Sequence, residues 1–384
     1  MKDAGGSPGS AGVRLETIDA LRGAAALAVV CHHVFTTYVA GSSLGALEPV
    51  FWLGSTGVWL FIVISGFCIH LRFAKDLSEG QIAPPAFIPF WKRRLRRLYP
   101  AYFAALLLYA AIRLFDGSLT FDDRFLYNFS VHVLLVHNLD PTTVFGFCGV
   151  FWTLALEEHL YLAYFPLVGI RRRWGWTAVL AACLGARGAG LILHWIIKDR
   201  FGWESPFQAL FVAQWFVWAL GALSVEAHMG VVTLPAWCRN RGVALGLLGM
   251  IALLITTERE GGWPTLLSRA WWAVRDPMLG LGFFVLINSL LRPPRASSRQ
   301  VQFLARLLAG LGVFSYSLYL IHQAVQLHLI PMSLAAMGLA PQAWMAIPVV
   351  LACILAARFF FHLFERPFLT ASRKEHRGSI PEPA

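Results

Sequence analysis

Ionisable residues stand at two depths in the first long apolar stretch of the chain. Arg22 and His33 lie in Ile18 to Phe35, IDALRGAAALAVVCHHVF, and Asp19 precedes the arginine by three residues. A helix turns about 100° and rises about 1.5 Å per residue, so Arg22 and His33 share a face about 16 Å apart, whereas His32 points about 100° away. Ionisable groups within a membrane usually face a cavity or a partner. The spacing therefore predicts either a functional face or a histidine that hydrogen-bonds between helices.

A basic run precedes a later apolar stretch. Five of the six residues from Lys92 to Arg97 are Lys or Arg, within the segment FWKRRLRRLYPAYF. Such a run commonly anchors a membrane protein to anionic lipid. Arginine forks also bind phosphate well, so the same run is typical of a clamp for a polyanion such as a nucleotide. The residues alone leave both interpretations open.

Carboxylates interrupt another apolar segment. In VFWTLALEEHLYLAYFPL, Glu157, Glu158 and His159 stand side by side, and Tyr161 follows Glu157 by four residues, so both can share one helix face. A carboxylate inside hydrocarbon needs a partner, and its desolvation suits it to proton transfer. The alternative is a pair of acidic side chains that reach the membrane surface from the helix end.

Two further segments carry polar residues at helical spacing. In FSYSLYLIHQAV, Tyr319 and His322 are three residues apart and share a polar stripe with neighbouring serines. This stripe predicts either interhelical hydrogen bonds or the lining of a cavity. In GVWLFIVISGF, Ser65 and Gly66 break an apolar run. Small residues there permit a pocket or, more commonly, close helix packing.

The composition places these segments in a membrane. Hydrophobic residues make up 57% of the 384 residues and charged residues 14%, whereas soluble domains carry about 25% charge. We predict an all-α polytopic integral membrane protein with about ten transmembrane helices. A helical span needs roughly 20 mostly apolar residues, and the predicted spans are about 20–39, 51–71, 98–115, 150–170, 176–197, 208–228, 243–257, 271–291, 307–330 and 343–364. The apolar stretch 125–136 is too short to span, so we predict an interfacial or re-entrant helix there.

The distribution of basic residues predicts the orientation. With the N-terminus inside, 24 of the 32 Lys and Arg residues fall in inner segments and 6 in outer ones. This bias predicts that both termini are cytoplasmic. We expect flexible tails at 1–14 and 369–384 around one membrane domain, 15–368. The net charge of +11 then reflects the lipid bilayer rather than nucleic acid, and the six cysteines, which form no CxxC pair, are expected to be buried thiols. No metal site is predicted.

Taken in order, these motifs resemble those of the acyltransferase family 3 membrane proteins, which O-acylate bacterial surface sugars and some secondary metabolites. The shared segments are DALRGAAALAVVCHH, LFIVISGF, RRLRRLYP, WTLALEEHLY, SYSLYLIH and ERPF, which cover residues 15 to 368. The family's spacing of an arginine, ten residues and a histidine selects His33 over His32. Two departures are His159, where Gln is common, and Gln323, where an aromatic residue is frequent.

The resemblance implies a donor, an acceptor and a set of site residues. The donor would be cytosolic acyl-CoA, namely acetyl-CoA, as a co-substrate with no permanently bound cofactor. The acceptor would be a carbohydrate or glycolipid, and the location a bacterial inner membrane. His33 would act as general base or as a covalent acyl carrier, with Glu157, Asp19 and Arg22 as further catalytic residues, and Asp19 is expected to pair with Arg22 and hold it in place. Substrate-binding residues would be Arg94, Arg97, Arg93, Tyr161, Tyr319, His322 and Ser65.

Two other classes of protein fit the residues alone. In a proton-coupled transporter or exporter of a small acylated or sugar compound, the buried His and Glu would form a proton relay. In a structural subunit of an envelope assembly, the same polar groups would join helices. Consumption of acyl-CoA distinguishes the enzyme from both.

Overall fold

The computed structural model describes residues 9–39, 42, 47–291 and 298–369, and the regular elements of this part of the chain are all helical. The all-α prediction is therefore confirmed. The α-helices are α1 (Gly9–Tyr38), α2 (Glu48–Trp52), α3 (Gly57–Ser78), α4 (Phe87–Phe115), α5 (Asp123–Val133), α6 (Trp152–Phe201), α7 (Phe211–His228), α8 (Arg241–Arg259), α9 (Thr265–Leu290), α10 (Arg299–Val313), α11 (Ser315–Gln323), α12 (Ile330–Ala336) and α13 (Ala346–Phe360). Wider π-helical turns, Ala324–Leu329 and Phe361–Glu365, follow α11 and α13.

Seven helical segments of the described chain are long and apolar enough to cross a membrane, and an eighth arises if the pair Arg299–Val313 and Ser315–Ala336, bent by 67°, is one span. The predicted count of ten is not reproduced. The predicted spans 150–170 and 176–197 correspond to the two limbs of the 50-residue α6, which are separated at Gly175, where φ is 80° and the backbone is not helical. The predicted span 208–228 corresponds to α7, only 18 residues long and not among the candidates, because it carries polar residues such as Glu226.

Two smaller predictions concern the chain ends and the short helix. The predicted interfacial helix is present as α5, which has 11 residues and cannot span a membrane. Helix α1 begins at Gly9, inside the predicted flexible tail 1–14. The rest of that tail and residues 370–384 lie outside the described residues, and the cytoplasmic orientation of the termini stays a prediction. All six cysteines are free thiols; four of them are buried as expected, whereas Cys31 and Cys68 are half-buried.

The helices belong to two compact units. The first takes its described residues from Met1–Val29, Leu53–Gln81 and Val217–Ser315. Within it, helices approach backbone to backbone at glycines. A Cβ atom at Gly66 would lie 2.0 Å from the Trp218 carbonyl oxygen, and one at Gly221 would lie 1.9 Å from that of Val63. Close packing through small residues is a common way for membrane helices to associate.

This contact predicts a large stability difference between two glycine substitutions. Gly221→Ala should destabilise the protein by more than the about 1–3 kcal/mol typical of overpacking, because the clash is with a backbone oxygen rather than a side chain. Gly246→Ala is the matched control, since a Cβ atom there meets nothing within 4 Å. The thermal unfolding midpoint in detergent should fall for Gly221→Ala alone. Equal midpoints for the two variants would contradict the close approach.

The second unit takes its described residues from Val30–Trp52, Ile82–Phe216 and Tyr316–Ala384. Outside its candidate spans, the rings of His132 and His137 stack with centroids 3.9 Å apart, and both side chains are fully buried. The Nδ1 of His132 donates to the Asn128 carbonyl at 2.8 Å. Tyr102 donates to the carbonyl of His132, which fixes α5 against α4.

The stacked histidines predict an acid-sensitive fold. Burial lowers the pKa of His132 to about 4 and that of His137 to about 3. Because the unfolded chain binds these protons near pH 6.5, the free energy of unfolding should decrease as the pH falls below 6.5. The loss should be about 2 kcal/mol per histidine at pH 5. Thermal unfolding of wild type and His137→Phe at pH 7 and pH 5 checks this. The variant should lose less stability than wild type, and an equal loss would contradict the assignment.

Candidate active site

A tyrosine hydroxyl interrupts the backbone hydrogen bonds at the end of α11, the helix that carries the polar stripe. The hydroxyl of Tyr109, on α4, accepts from the Ala324 amide at 2.8 Å and donates to the Leu320 carbonyl at 3.3 Å. These two backbone groups would bond to each other in a regular α-helix, so the hydroxyl interrupts the ladder. The π-helical turn Ala324–Leu329 follows immediately. Wide turns of this kind often occur at functional sites.

The residues before this turn meet the histidine of the opening motif. His322 is fully buried, and its Nδ1 lies 2.9 Å from the Tyr319 carbonyl. A carbonyl only accepts, so Nδ1 carries the proton and Nε2 carries the lone pair. The rings of His322 and His33 lie 5.3 Å apart between centroids. The structure therefore brings together three predicted site residues, His33, Tyr319 and His322, which we call the histidine group.

Gln323 lies beside the same two histidines, immediately after His322 in the chain. Its Oε1 accepts from the Gly149 amide at 3.0 Å and from the Cys148 thiol at 3.3 Å. Its Nε2 lies 3.4 Å from Nε2 of His33. The amide nitrogen only donates, so in this arrangement Nε2 of His33 presents its lone pair. The result is a half-buried imidazole held with one nitrogen available as a base.

The carboxylates of α6 lie one helical turn beyond this group. Thr153 donates to the Tyr319 hydroxyl at 2.8 Å, and Glu157 follows Thr153 by four residues. The hydroxyl of Tyr161 donates to Glu157 at 2.5 Å, so the predicted pairing of these two side chains is present. Glu157 also interacts electrostatically with Tyr319.

Arg94 lies at the far end of the same helix face. Its guanidinium stacks over Phe90 at 5.7 Å, and Phe90 packs edge-on against Tyr161 at 6.0 Å. Arg94 also interacts electrostatically with Glu158 and Tyr161. Tyr161 follows Thr153 by eight residues, which is about 12 Å along α6, so the aromatic side chains beside Arg94 begin about that far along the helix from Thr153. Arg97 is half-buried and Arg93 is exposed, which leaves guanidinium groups of this run accessible.

Two of the shared motifs hold each other in place within the same unit. The hydroxyl of Ser317 forms a short hydrogen bond with the carboxylate of Glu365, and both side chains are buried. The hydroxyl of Tyr316 donates to the Leu98 carbonyl at 3.1 Å, which ties α11 to the end of the basic run. The ERPF segment and the end of the basic run therefore hold α11, which carries the SYSLYLIH segment, in position.

The remaining predicted site residues lie in the first unit. Asp19 and Arg22 form the predicted ion pair, at 3.8 Å. The hydroxyl of Ser65 lies 3.2 Å from Nε1 of Trp218, beside the Gly66 contact, which fits the packing interpretation of this segment. Their catalytic and substrate-binding roles stay predictions.

Sequence reasoning missed the residues that orient His33. Gln323 was noted only as a departure from the family pattern, and neither Cys148 nor Tyr109 was assigned a role. The available signal was an amide side chain immediately after His322 in an otherwise apolar helix. In the described part of the chain, no three His, Cys, Asp or Glu side chains form a group suited to a metal ion. The side chains that the structure places in the second unit include a base, an amide donor, carboxylates and guanidinium groups.

Comparison with known families gives these groups a context. Residues 15–365 match the acyltransferase domain family, acyltransferase family 3. The chain belongs to this family. With its apolar helices, the membership indicates a multi-pass membrane protein.

Individual relatives share 25–31% of aligned residues with the chain. The chain is 31% identical to the acyltransferase MdmB of Streptomyces mycarofaciens over 45% of each chain. It is 25% identical to the O-acetyltransferase OatA of Staphylococcus aureus over 81% of this chain and 50% of that protein. The chain thus spans about half the length of these two relatives. No solved structure matches it.

Proposed function

We propose that this family member is a membrane O-acyltransferase that moves an acetyl group from acetyl-CoA to a hydroxyl of a carbohydrate or glycolipid. The observation that carries the proposal is the arrangement around His33, whose Nε2 faces an amide donor and whose ring lies beside His322. The O-acetyltransferase name of the Staphylococcus aureus relative supports acetyl as the group and oxygen as the acceptor atom.

The basic run would bind the donor. Coenzyme A carries several phosphate negative charges, and arginine forks pair with phosphate through two hydrogen bonds. Arg94 and Arg97 are half-buried, so a bound phosphate would be partly shielded from solvent, and exposed Arg93 would add charge. The pantetheine arm would then run along α6 past Tyr161 and Glu157 toward the histidine group.

Acyl transfer would proceed by attack of the acceptor oxygen. His33 takes the proton of the hydroxyl as the new carbon–oxygen bond forms at the thioester carbon. The carbon–sulfur bond breaks, and the imidazolium returns the proton to the departing CoA thiolate. Glu157 would orient the acceptor or balance the charge on the imidazolium. Asp19 would hold Arg22, which would act on the donor side. Tyr319 and His322 would line the substrate site, and a substrate-binding role for Ser65 stays a prediction.

The proposed topology places the donor-binding residues on the cytosolic side of the membrane. The excess of Lys and Arg in the segments assigned to the inside supports cytoplasmic termini and a basic run that faces the cytosol, where acyl-CoA is made. The location would be the inner membrane of a bacterial cell, with an acceptor that belongs to the cell envelope.

Proteoliposomes test the proposal against a transporter. Purified protein is reconstituted with acetyl-CoA and an extracted envelope-glycan fraction, and free thiol from released CoA is followed together with internal pH. Protein-dependent CoA release that needs the glycan is the expected result. Proton movement that depends on a solute gradient, without any CoA release, would contradict the enzyme and favour the transporter.

A further inference from the structure

The orientation of the Gln323 side chain is fixed by groups that can bond in only one way. The backbone N–H of Gly149 only donates, so the atom that faces it at 3.0 Å is the carbonyl oxygen of the Gln323 amide. The Cys148 thiol approaches the same oxygen. The room for this contact depends on a glycine, because a Cβ atom at residue 149 would lie 3.1 Å from Oε1 of Gln323. The amide nitrogen must therefore face away, toward His33.

The amide nitrogen of Gln323 carries two hydrogens, but only one of them has a hydrogen-bond partner among the described residues. One of its two N–H groups is directed at Nε2 of His33, 3.4 Å away. The other has no hydrogen-bond partner within the residues that the structure describes, although Gln323 is only 5% exposed. A buried donor without a partner is costly, so its presence beside a base points to a ligand that supplies the acceptor. The π-helical turn that follows the Tyr109 contact begins at the next residue, Ala324.

We propose that Gln323 is an oxyanion-stabilising residue that donates its second N–H to the thioester oxygen during acyl transfer. This inference rests on the proposed function. As the acceptor oxygen bonds to the thioester carbon, the carbonyl electron pair moves onto its oxygen, and the Nε2–H of Gln323 meets that charge. The pair returns when the carbon–sulfur bond breaks. The acceptor hydroxyl displaces the long 3.4 Å contact between Gln323 and Nε2 of His33, and His33 takes the hydroxyl proton there and passes it to the thiolate.

The distances suit both roles. In acyl transfer the reacting carbon lies about 3 Å from the nucleophile and close to an oxyanion donor, and the general base contacts the nucleophile. The nitrogen of the base and the nitrogen of the donor are 3.4 Å apart here, so an acceptor hydroxyl on His33 and a thioester oxygen on Gln323 can lie side by side. The donor is also held in place before reaction, by Gly149 and Cys148, and a fixed donor stabilises developing charge without reorganisation.

Two substitutions at this position form the core of the test. Gln323→Met removes the donor and keeps the length of the side chain. Gln323→Glu still accepts from the Gly149 amide but replaces the donor nitrogen with oxygen. Both should lower kcat for CoA release from acetyl-CoA, with the extracted envelope glycan as acceptor, by about 10²–10³-fold, with KM for acetyl-CoA within about twofold. Gln342→Leu, at an exposed position, is the control and should behave as wild type.

A sulfur-substituted donor separates charge stabilisation from positioning of His33. Dithioacetyl-CoA carries C=S in place of C=O, and sulfur accepts hydrogen bonds weakly. Wild type should therefore prefer acetyl-CoA, and Gln323→Met should lose about tenfold or more of that preference. A residue that only positioned His33 would leave the preference unchanged, and that result would overturn the inference.

The outcomes also distinguish this inference from the proposed function. Active wild type and inactive His33→Ala, together with Gln323→Met and Gln323→Glu that both retain wild-type kcat, would overturn the oxyanion role alone. Wild type that releases no CoA under any of these conditions would overturn the proposed function and the oxyanion role with it. Thermal unfolding of each variant shows whether a loss of activity reflects a loss of fold, and the glutamate variant keeps the Gly149 amide satisfied.

Discussion

Replacing His33 with alanine is expected to lower the rate of acetyl-CoA-dependent acyl transfer by about 10²–10⁴-fold, the range of general base catalysis. The reason is that His33 is half-buried and its Nε2 lone pair lies beside the Gln323 donor, whereas the side chain of His322 is fully buried. The measurement is the initial rate of CoA release by purified protein at saturating acetyl-CoA with an extracted envelope glycan.

Matched variants keep this prediction specific to the imidazole. His362→Ala removes an exposed histidine and should retain the wild-type rate. His33→Gln keeps a polar side chain beside Gln323 but offers no base, so it should be as inactive as the alanine variant while it folds normally. A His33→Ala protein with wild-type CoA release would refute the catalytic role of this residue.

Replacing Arg94 with lysine is expected to raise KM for acetyl-CoA about 10–100-fold while kcat changes by about threefold or less. A lysine keeps the positive charge near Glu158 but loses the planar fork that pairs with phosphate and the stacking over Phe90. The lost charge-assisted hydrogen bonds are worth about 1.5–3 kcal/mol, which corresponds to this range. Arg97→Lys should act in the same direction.

The comparison variant for the arginines is Arg306→Lys, on an exposed face of α10. It should leave both kinetic constants unchanged. Direct binding of acetyl-CoA, measured by calorimetry on inactive His33→Ala, should follow the KM values. A collapse of kcat in Arg94→Lys with unchanged donor binding would contradict the clamp and place Arg94 at the reacting centre.

Helical spacing predicted the parts of the site that lie on single helices. The eleven-residue interval placed His33 on the face of Arg22, and the four-residue interval between Glu157 and Tyr161 predicted a shared face, on which the structure shows a hydrogen bond. The ion pair of Asp19 and Arg22 followed from a three-residue interval in the same way. Side chains on one helix have fixed relative positions, so such contacts can be read from the sequence alone.

Contacts between distant segments could not be predicted in this way. Gln323 depends on Gly149 and Cys148, which are about half the chain away, and the turn after it depends on the hydroxyl of Tyr109. A single sequence carries no record of which segments pack together. The count of spans differs partly because the two predicted spans on either side of Gly175 belong to one long element, whose backbone is not helical at that glycine.

The most direct test of the account follows a labelled acetyl group from donor to acceptor. Wild type and His33→Ala, purified in nanodiscs and matched for folded protein, are given acetyl-CoA labelled in the acetyl group and an extracted envelope glycan. The account predicts that wild type releases CoA and transfers label to the glycan in equal amounts, and that His33→Ala does neither. Label transfer by His33→Ala at the wild-type rate, or wild type that releases no CoA, would contradict it.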